Sequence, residues 1–205
     1  MDELRLLADL HKDNARQGPG GDRETRRAIE LAGIDGGRPL KIADIGCGTG
    51  ASTLLLAEEL NAEFIAVDFL PEFLDRLRSR ARVMEVDNRI STVTCSMDAL
   101  PFEDEDFDVV WSEGAIYNMG FEKGIVEWRR FLKPAGVLAV SEITWLTGSR
   151  PAELEEHWRA EYPEIDTASA KINLLERHGY TPLGYFVLPK RCWTENYYEP
   201  LQRSY

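Results

Sequence analysis

Apolar runs alternate with amphipathic stretches along most of the chain. Six short, mostly apolar runs predict buried strands at residues 40–45, 63–69, 89–95, 107–113, 137–143 and 182–189. Between them, apolar residues recur every three or four positions, which predicts helices at residues 51–60, 71–84, 121–132, 151–160 and 166–178. Because strands buried on both faces are almost continuously apolar, this alternation predicts a mostly parallel sheet with helices on both faces.

Two more helical stretches precede the first strand. Residues 2–16 are amphipathic, and the glycine-rich residues 17–21 interrupt them. Residues 23–33 then form a second helical pattern, with Asp22 in position to cap it and Gly33 in position to end it. We expect both helices to form a lid over the turn that follows the first strand.

Length, composition and charge limit the classes of protein that remain. The chain has 205 residues with 43% hydrophobic and 29% charged residues, which fits one globular domain. No apolar run approaches the ~20 residues that a membrane helix needs, and the N-terminus lacks the features of a signal peptide, so we expect a cytoplasmic protein with no membrane partner. The net charge of −12 favours a small-molecule partner over nucleic acid, and we expect the arginines of residues 75–83 to line a solvated helix face.

Cysteine and histidine usage predicts no metal site. Cys47, Cys95 and Cys192 are odd in number and far apart, and no pair has the spacing of zinc ligands. The three histidines are equally scattered. We therefore expect reduced, structural thiols, with Cys47 packed under the turn that contains it.

The turn after the first strand, "DIGCGTGA", fits two glycine patterns. Gly46, Gly48 and Ala51 match G-x-G-x-x-G/A, which binds the pyrophosphate of dinucleotides. Asp44 with Gly46, Gly48 and Gly50 instead forms D-x-G-x-G-x-G. A pyrophosphate ~4 Å from the Asp44 carboxylate would be repelled by about 4 kcal/mol at an effective dielectric constant of about 20. The second pattern, with a cationic ligand, is therefore favoured.

Candidate ligand-binding residues follow the ends of the other predicted strands, where ligands of open α/β sheets bind. They are Asp68 and Phe69, Met97 and Asp98, Ser112, Glu113 and Tyr117, and Glu142 and Trp145. A carboxylate at Asp68 suits two ribose hydroxyls, Asp98 suits an adenine amino group, and Phe69 or Met97 suits the face of a ring. We expect this rim to be rich in carboxylates and aromatic rings and to lack arginine and lysine.

Five segments taken in order resemble a known family. The segments "DIGCGTG", "FIAVDF", "SMDALPF", "FDVVWSEGAIYN" and "FLKPAGVLAVSE" resemble successive motifs of class I S-adenosylmethionine-dependent methyltransferases, of the small-molecule type similar to the ubiquinone and menaquinone biosynthesis enzymes. The resemblance extends from Gln17 to about Pro200. It implies a doubly wound, Rossmann-like α/β fold. The family's seventh, antiparallel strand has no apparent counterpart here, which leaves two alternatives open: a truncated form, or a sheet edge that the aromatic C-terminal residues repair. An unfilled position would expose a strand edge and invite pairing into a homodimer.

The resemblance also implies a role for individual residues. The chain is expected to be one methyltransferase domain, with a helical lid at 1–38, a cofactor-binding core at 39–144 and a substrate-side part at 145–205. The cofactor is S-adenosyl-L-methionine, and the product is S-adenosyl-L-homocysteine. Its expected contacts are Asp44, Gly46, Cys47, Gly48, Gly50, Asp68, Phe69, Met97, Asp98, Ser112, Glu113 and Gly114, and residues 16–18 are expected to close over it.

The acceptor side is less constrained. Glu113 and Glu142 are candidate general bases, and Tyr117 is a candidate hydrogen-bonding group. Tyr117, Trp145 and Trp193 are candidate walls for a small aromatic or heterocyclic acceptor, although aromatic core packing would explain them equally well. Two rival functions stay open from sequence: an NAD-dependent oxidoreductase, and a non-catalytic module that binds S-adenosylmethionine.

Overall fold

The computed structural model describes residues 9–203, which form an open α/β sheet with helices on both faces. Five strands are hydrogen-bonded in the order β3-β2-β1-β4-β5, and every neighbouring pair is parallel. Their bounds are β1 Leu40–Ile45, β2 Ala62–Asp68, β3 Ile90–Thr94, β4 Phe107–Ser112 and β5 Leu132–Val140. The predicted fold class is therefore confirmed.

Helices connect the strands and cover the sheet. The main helices are α1 Asp22–Leu31, α2 Ala51–Glu59, α3 Pro71–Val83, α4 Phe121–Arg129, α5 Ala152–Glu161 and α6 Ala168–Arg177. Two-residue strands β6 (Thr144–Trp145) and β7 (Asp166–Thr167) pair separately from the main sheet. The C-terminal segment is three short helical pieces: Arg191–Trp193, Thr194–Tyr198 and Glu199–Arg203.

The period-two alternation of β1 separates two apolar cores. Ile42 faces α2 and α3, where it packs with Leu56 and Leu77. Ala43 and Ile45 point to the other face, which α4 covers with Phe121, Ile125 and Trp128. Burying both faces of β1 makes it the rigid centre of the sheet, so the turn that follows it starts from a fixed point.

The strand order places a crevice beside that turn. The chain proceeds from β1 through β2 to β3 on one side, and then crosses back to add β4 and β5 on the other side. The connections after β1 and β4 therefore diverge, which leaves a binding crevice at the carboxyl ends of these two neighbours.

The predicted sixth strand is wrong, because residues 182–189 form no regular structure. This segment packs on α1 instead, with the Phe186 ring 4.6 Å from the Arg27 guanidinium carbon. Leu183, Tyr185 and Val187 on its opposite side are each more than half exposed. The alternation that suggested a strand thus reflects one side packed on a helix, and among the described residues β5 is an edge strand of the sheet.

The boundary between α4 and β5 also differs from the prediction. The helix predicted to reach Leu132 ends at Arg129, and Leu132 already begins β5. The "KPAG" segment, predicted as a turn before the strand, is a bulge within it. Leu132 pairs with Phe107, and Val137 pairs with Val109. Residues 133–136 of β5 therefore lie opposite the single residue 108 of β4, and Ala135 among them has a φ of +62°.

Two predictions at the N-terminus need correction. Within the described residues the first helix continues only to His11 rather than to Arg16, while residues 1–8 of that prediction lie outside the described part of the chain. Asp22 does not cap α1, because it is the first residue of that helix and Gly21 stands at the cap position without a side-chain hydrogen bond. The Asp22 carboxylate pairs with Arg16 instead.

Candidate active site

The turn after β1 requires glycine at every second position. Gly46, Gly48 and Gly50 have φ values of +75°, +57° and +87°, a region that other residues seldom adopt. A Cβ atom at these positions would lie only 2.2–2.3 Å from atoms of Ala115, Gln17 and Leu77, respectively. Ala51 is simply the first residue of α2. The structure therefore supports the D-x-G-x-G-x-G pattern over the dinucleotide pattern.

Asp68, at the end of β2, is tied to this glycine turn. Its Oδ2 accepts a 2.9 Å hydrogen bond from the Gly48 N–H, and its Oδ1 accepts one of 2.9 Å from the Leu70 N–H. Burial raises the pKa of Asp68, while these backbone donors oppose the rise. Each carboxylate oxygen can accept a second hydrogen bond, so Asp68 keeps the capacity to bind two hydroxyls of a ligand.

Asp44 is buried rather than open to the crevice. Its side chain accepts a 2.6 Å hydrogen bond from the Thr53 hydroxyl of α2, and only 1% of the residue is exposed. Burial raises the pKa of Asp44 to about 7, and the nearby carboxylates of Glu113 and Asp68 add to the rise. The Asp44 side chain is therefore held against α2 and closed off from solvent.

The turn after β4 forms the facing wall. Gly114 has a φ of +66°, and its N–H donates a 2.7 Å hydrogen bond to the Ser141 hydroxyl beyond β5. The Ser112 hydroxyl at the end of β4 is buried without a hydrogen-bond partner. Cys47 is also buried, with a free thiol, as predicted. The predicted cofactor residues of β1, β2 and β4 thus meet at one crevice.

Residues 12–21 cross this crevice, and we call them the strap. The Gln17 amide oxygen accepts a 2.8 Å hydrogen bond from the Thr49 N–H, and its amide nitrogen donates to the backbone oxygens of His11 and Asn14. A Cβ atom on Gly18 would lie 3.9 Å from the Gly114 oxygen. The strap therefore touches both the glycine turn and the turn after β4.

The C-terminal segment supports the strap from outside. The Asn196 amide donates a 2.7 Å hydrogen bond to the Gly20 oxygen, and Arg191 pairs with Glu24 at the start of α1. The ring of Tyr197 stacks on His11 with an interplanar angle of 1°. Sequence patterns gave no sign of these contacts, since the partners lie more than 160 residues apart.

Glu113, a predicted general base, is held by the strap and by α1. Its Oε2 accepts a 3.1 Å hydrogen bond from Arg16, and its Oε1 accepts bonds from the Thr25 hydroxyl (2.7 Å) and the Trp111 indole (3.1 Å). Both carboxylate oxygens are therefore engaged. This geometry suits a residue that fastens the strap better than one that collects a proton from an acceptor.

The expectation of a rim without cations is wrong, because cations reach it from other elements. Arg16 comes from the strap, and Lys171 comes from α6. Arg80 of α3 donates a 2.8 Å hydrogen bond to the Thr49 oxygen of the glycine turn, so it is not part of a purely solvated face. Burial lowers the pKa of Arg80, because its guanidinium is partly withdrawn from water.

Three further predicted residues lie at the rim between β2 and β3. Phe69 is 56% exposed, which leaves a ring face free for stacking. Met97 lies near the glycine turn, 3.6 Å from the position of a Cβ atom on Gly46. Asp98 is held by the Ser96 hydroxyl and by Lys123, and the Ser96 hydrogen bond lowers its pKa below the usual value.

A large open cleft of about 1730 Å³ extends from Gly114 past the carboxyl end of β5. The predicted acceptor residues Tyr117, Trp145 and Trp193 all line it. The Tyr117 ring lies 6.0 Å from that of Tyr162 in an edge-to-face arrangement, and the Arg150 guanidinium stacks 4.2 Å over Trp145. The sequence-predicted acceptor residues are therefore brought to one cavity, next to the cofactor-side crevice.

Glu142 lies in this cleft within a buried cluster that the sequence did not reveal. Its Oε1 is 2.7 Å from the Lys171 ammonium and also accepts a hydrogen bond from the Tyr162 hydroxyl. The Glu142 and Lys171 side chains are only 7% and 5% exposed. Burial raises the pKa of Glu142, and the two donors oppose the rise. Its second oxygen, Oε2, is buried without a hydrogen-bond partner.

Two other kinds of site have no counterpart among residues 9–203. No group of three or more histidine, cysteine, aspartate or glutamate side chains is placed to hold a metal ion. In the same part of the chain, no helix is long and apolar enough to cross a membrane.

Comparisons with known proteins agree with this geometry. A family profile described as a methyltransferase domain matches residues 42–136, from β1 into the bulge of β5. An uncharacterized protein of Haemophilus influenzae is 26% identical over 197 residues, which cover 85% of this chain and 77% of that protein. The 27-O-demethylrifamycin SV methyltransferase of Amycolatopsis mediterranei is 28% identical over 73% of this chain, which spans only 58% of its length.

Solved structures show the same fold. A methyltransferase from Geobacter sulfurreducens, determined with S-adenosyl-L-homocysteine, superposes with a TM-score of 0.84 over 98% of this chain and 80% of its own. Its sequence identity is 15%, so this likeness concerns the fold. The profile match, the relatives and the glycine turn with Asp68 lead to one conclusion: residues 42–136 form a methyltransferase domain of class I, the S-adenosylmethionine-dependent type.

Proposed function

We propose that this chain transfers a methyl group from S-adenosylmethionine to a small-molecule acceptor. The observation that carries the proposal is the glycine turn with Asp68 bound to it, set beside an aromatic cleft. The crevice holds a diol-binding carboxylate and two further acidic groups, whereas a pyrophosphate site would present backbone N–H groups without nearby acids. This charge pattern suits a ligand with an ammonium and a sulfonium group.

The residues present fit the proposed cofactor. Asp68 would bind the ribose hydroxyls with the acceptor capacity it retains, and the exposed face of Phe69 would stack on the adenine. Gly46, Gly48 and Gly114 would present backbone to the ligand, and their missing side chains leave room for Ala115, Gln17 and Gly18 to pack on the two turns. The unpartnered Ser112 hydroxyl and the Asp44 charge would serve the methionine end.

The protein's task in such a reaction is mainly one of placement. S-adenosylmethionine supplies a methyl group that its sulfonium already activates. The chain would therefore contribute proximity and alignment, which bring large rate gains when two reactants are held in line. The strap would exclude water from the crevice, because Gln17 and Arg16 fasten it to opposite walls. Tyr117, Trp145 and Trp193 would hold the acceptor on the far side of Gly114.

These contacts support a different role for each of three parts of the chain. Residues 1–38 would form the cofactor lid, residues 39–144 the cofactor-binding core, and residues 145–205 the acceptor side. Glu113 belongs with the lid by its contacts, which leaves Glu142 as the carboxylate of the acceptor cleft. A cytoplasmic location and a homodimer through the β5 edge stay predictions.

Calorimetry tests the cofactor assignment. The wild-type protein should bind S-adenosyl-L-homocysteine and not NAD, and tight binding of NAD alone would overturn the proposal. Asp68→Asn should weaken S-adenosyl-L-homocysteine binding by about 10–100-fold, because hydrogen bonds to a charged group are worth about 1.5–3 kcal/mol. Asp104→Asn is the matched control, since its carboxylate is 68% exposed, pairs with Arg130 and lies ahead of β4, and the affinity should change less than about threefold.

Methyl transfer itself needs a separate measurement. Incubating the protein with labelled S-adenosylmethionine and a library of small hydroxyl, amine and thiol compounds should yield a labelled product. Cofactor binding without any labelled product would instead support the non-catalytic alternative.

A further inference from the structure

The acceptor cleft contains one buried acceptor atom with no donor. Glu142 Oε1 is saturated by the Lys171 ammonium and the Tyr162 hydroxyl, while Oε2 of the same carboxylate has no partner. An ionised carboxylate oxygen that is buried and unpaired is costly, so structures seldom leave one. Among the described residues, Glu142 is the carboxylate in this situation.

Contacts with Lys171 hold the Glu142 carboxylate in place. Lys171 is itself bound on three sides: by Glu142, by the Tyr162 hydroxyl at 3.2 Å, and by the Phe121 ring, whose centroid lies 4.7 Å away. The lysine therefore cannot turn to serve Oε2 without breaking these contacts. A donor for Oε2 has to come from outside the cluster.

Aromatic rings lie next to this carboxylate in the cleft. Tyr162, which donates to Glu142, packs edge-to-face on Tyr117, and Trp145 lies in the same lining. Glu142 itself lines this cleft, and a hydrogen-bond donor on a ring held among these aromatic side chains is the kind of partner that Oε2 lacks.

We infer that Glu142 Oε2 is the hydrogen-bond acceptor for the methyl acceptor, and that the acceptor is an aromatic compound carrying an O–H or N–H group. This inference rests on the proposed function and narrows its substrate class. It makes Glu142 a specificity-determining residue, which distinguishes a free phenol from its O-methylated product, since that product has lost the donor.

The test compares 2-naphthol with 2-methoxynaphthalene, two ring compounds that differ in the O–H donor. Binding to the protein saturated with S-adenosyl-L-homocysteine can be measured by ligand-observed NMR titration. Wild-type protein should bind the naphthol at least about tenfold more tightly, as expected for a hydrogen bond to a charged group. Equal affinities would overturn the inference and indicate that an ordered water serves Oε2.

Variants separate a role of Oε2 from a general effect on the cluster. The double variant Glu142→Leu/Lys171→Met removes the carboxylate without leaving an unpaired buried charge, a replacement that proteins often tolerate. It should lose the preference for naphthol. Tyr162→Phe is the matched control, because it removes a donor to Oε1 and leaves Oε2 in place, so the preference should survive.

The outcome also distinguishes this inference from the proposed function. If the wild-type protein fails to bind S-adenosyl-L-homocysteine, the proposed function is wrong. If that ligand binds equally well to wild type and the double variant, but the double variant keeps its preference for naphthol, only the inference about Glu142 is wrong.

Discussion

The cofactor side and the acceptor side of this site are built in different ways. The cofactor side lies at the ends of β1, β2 and β4, and it is held mainly by backbone: left-handed glycines, and N–H groups bound to Asp68. The acceptor side lies beyond β5, on short strands and loops, and it is held by buried side chains, above all Glu142, Lys171 and Tyr162. Backbone geometry leaves a sequence signature, while a side-chain cluster from distant elements does not.

The difference predicts different responses to mutation. Lys171→Met should lower the free energy of unfolding by about 3–5 kcal/mol, because it leaves the Glu142 charge buried and unpaired. Adding Glu142→Leu should recover most of this loss, which urea denaturation of the three proteins can measure. A double variant that is even less stable than Lys171→Met would contradict the view that the two residues act as one buried pair.

Gly48→Ala should be the most damaging change on the cofactor side. A Cβ atom there would lie 2.2 Å from the Gln17 amide oxygen, and the φ of +57° is unfavourable for alanine. We expect affinity for S-adenosyl-L-homocysteine to fall more than about 100-fold, or roughly 3 kcal/mol, as the turn and the strap separate.

Gly33→Ala is the control for that change. Gly33 has a similar φ of +62°, but nothing lies within 4 Å of its Cβ position. Its substitution should cost only about 1 kcal/mol of stability and leave ligand affinity unchanged. If both alanine variants bound the ligand as wild type does, the tight fit between Gly48 and Gln17 would not matter for binding.

Asp44→Asn should show how much a buried carboxyl group on the cofactor side lowers the stability of the folded protein. The pKa of this carboxyl rises from an ordinary 3.8 to about 7 on folding. Between these pH values the folded state binds a proton that the unfolded state does not, so its contribution to stability falls as the pH rises. At pH 8 the variant should gain up to about 4 kcal/mol of stability, which is the free energy of a pKa rise from 3.8 to about 7, and the gain should disappear near pH 4.

The same variant should bind S-adenosyl-L-homocysteine less tightly at pH 8, because the negative charge behind the crevice is lost. Chemical denaturation and calorimetry at both pH values check the two effects. A gain in stability that did not depend on pH would show that folding does not shift the pKa of Asp44. Lysine at this position would bury a cation and test folding rather than ligand charge.

The smallest effect is expected at the fastening of the strap. Glu113→Gln weakens the contact between Glu113 and Arg16, two side chains that are both largely buried. It should reduce S-adenosyl-L-homocysteine affinity by about threefold to tenfold. Asp22→Asn removes the other carboxylate that contacts Arg16, but it is 68% exposed, so its effect should be close to zero. Equal effects would mean that burial of the Arg16–Glu113 contact is unimportant.

Much of the cofactor side was predictable from the sequence. Three glycines at alternate positions and a carboxylate ending the next strand are local patterns, and the structure brings them together as expected. The charge argument from Asp44 was incomplete, because it ignored the buried Thr53 contact and the cations that other elements supply.

The acceptor side was less predictable for physical reasons. Lys171 looks like any helix lysine, and only its neighbours from β5 and the residue 162 region make it part of a buried cluster. Residues 182–189 alternate like a strand, but α1 covers one side of them, and they pair with no strand of the described chain. Local periodicity alone cannot distinguish a segment that packs on a helix from a strand that pairs in a sheet.

The contacts of the C-terminal segment bear on how the protein is made. Asn196 bonds to Gly20 and Cys192 contacts Glu24, so the strap is supported by residues that leave the ribosome more than 160 positions later. The central sheet can form earlier, from contacts close in sequence, whereas contacts of high separation form slowly. During synthesis, the sheet and its glycine turn would thus form first, and the strap would gain its support only after residues 192–196 had been made.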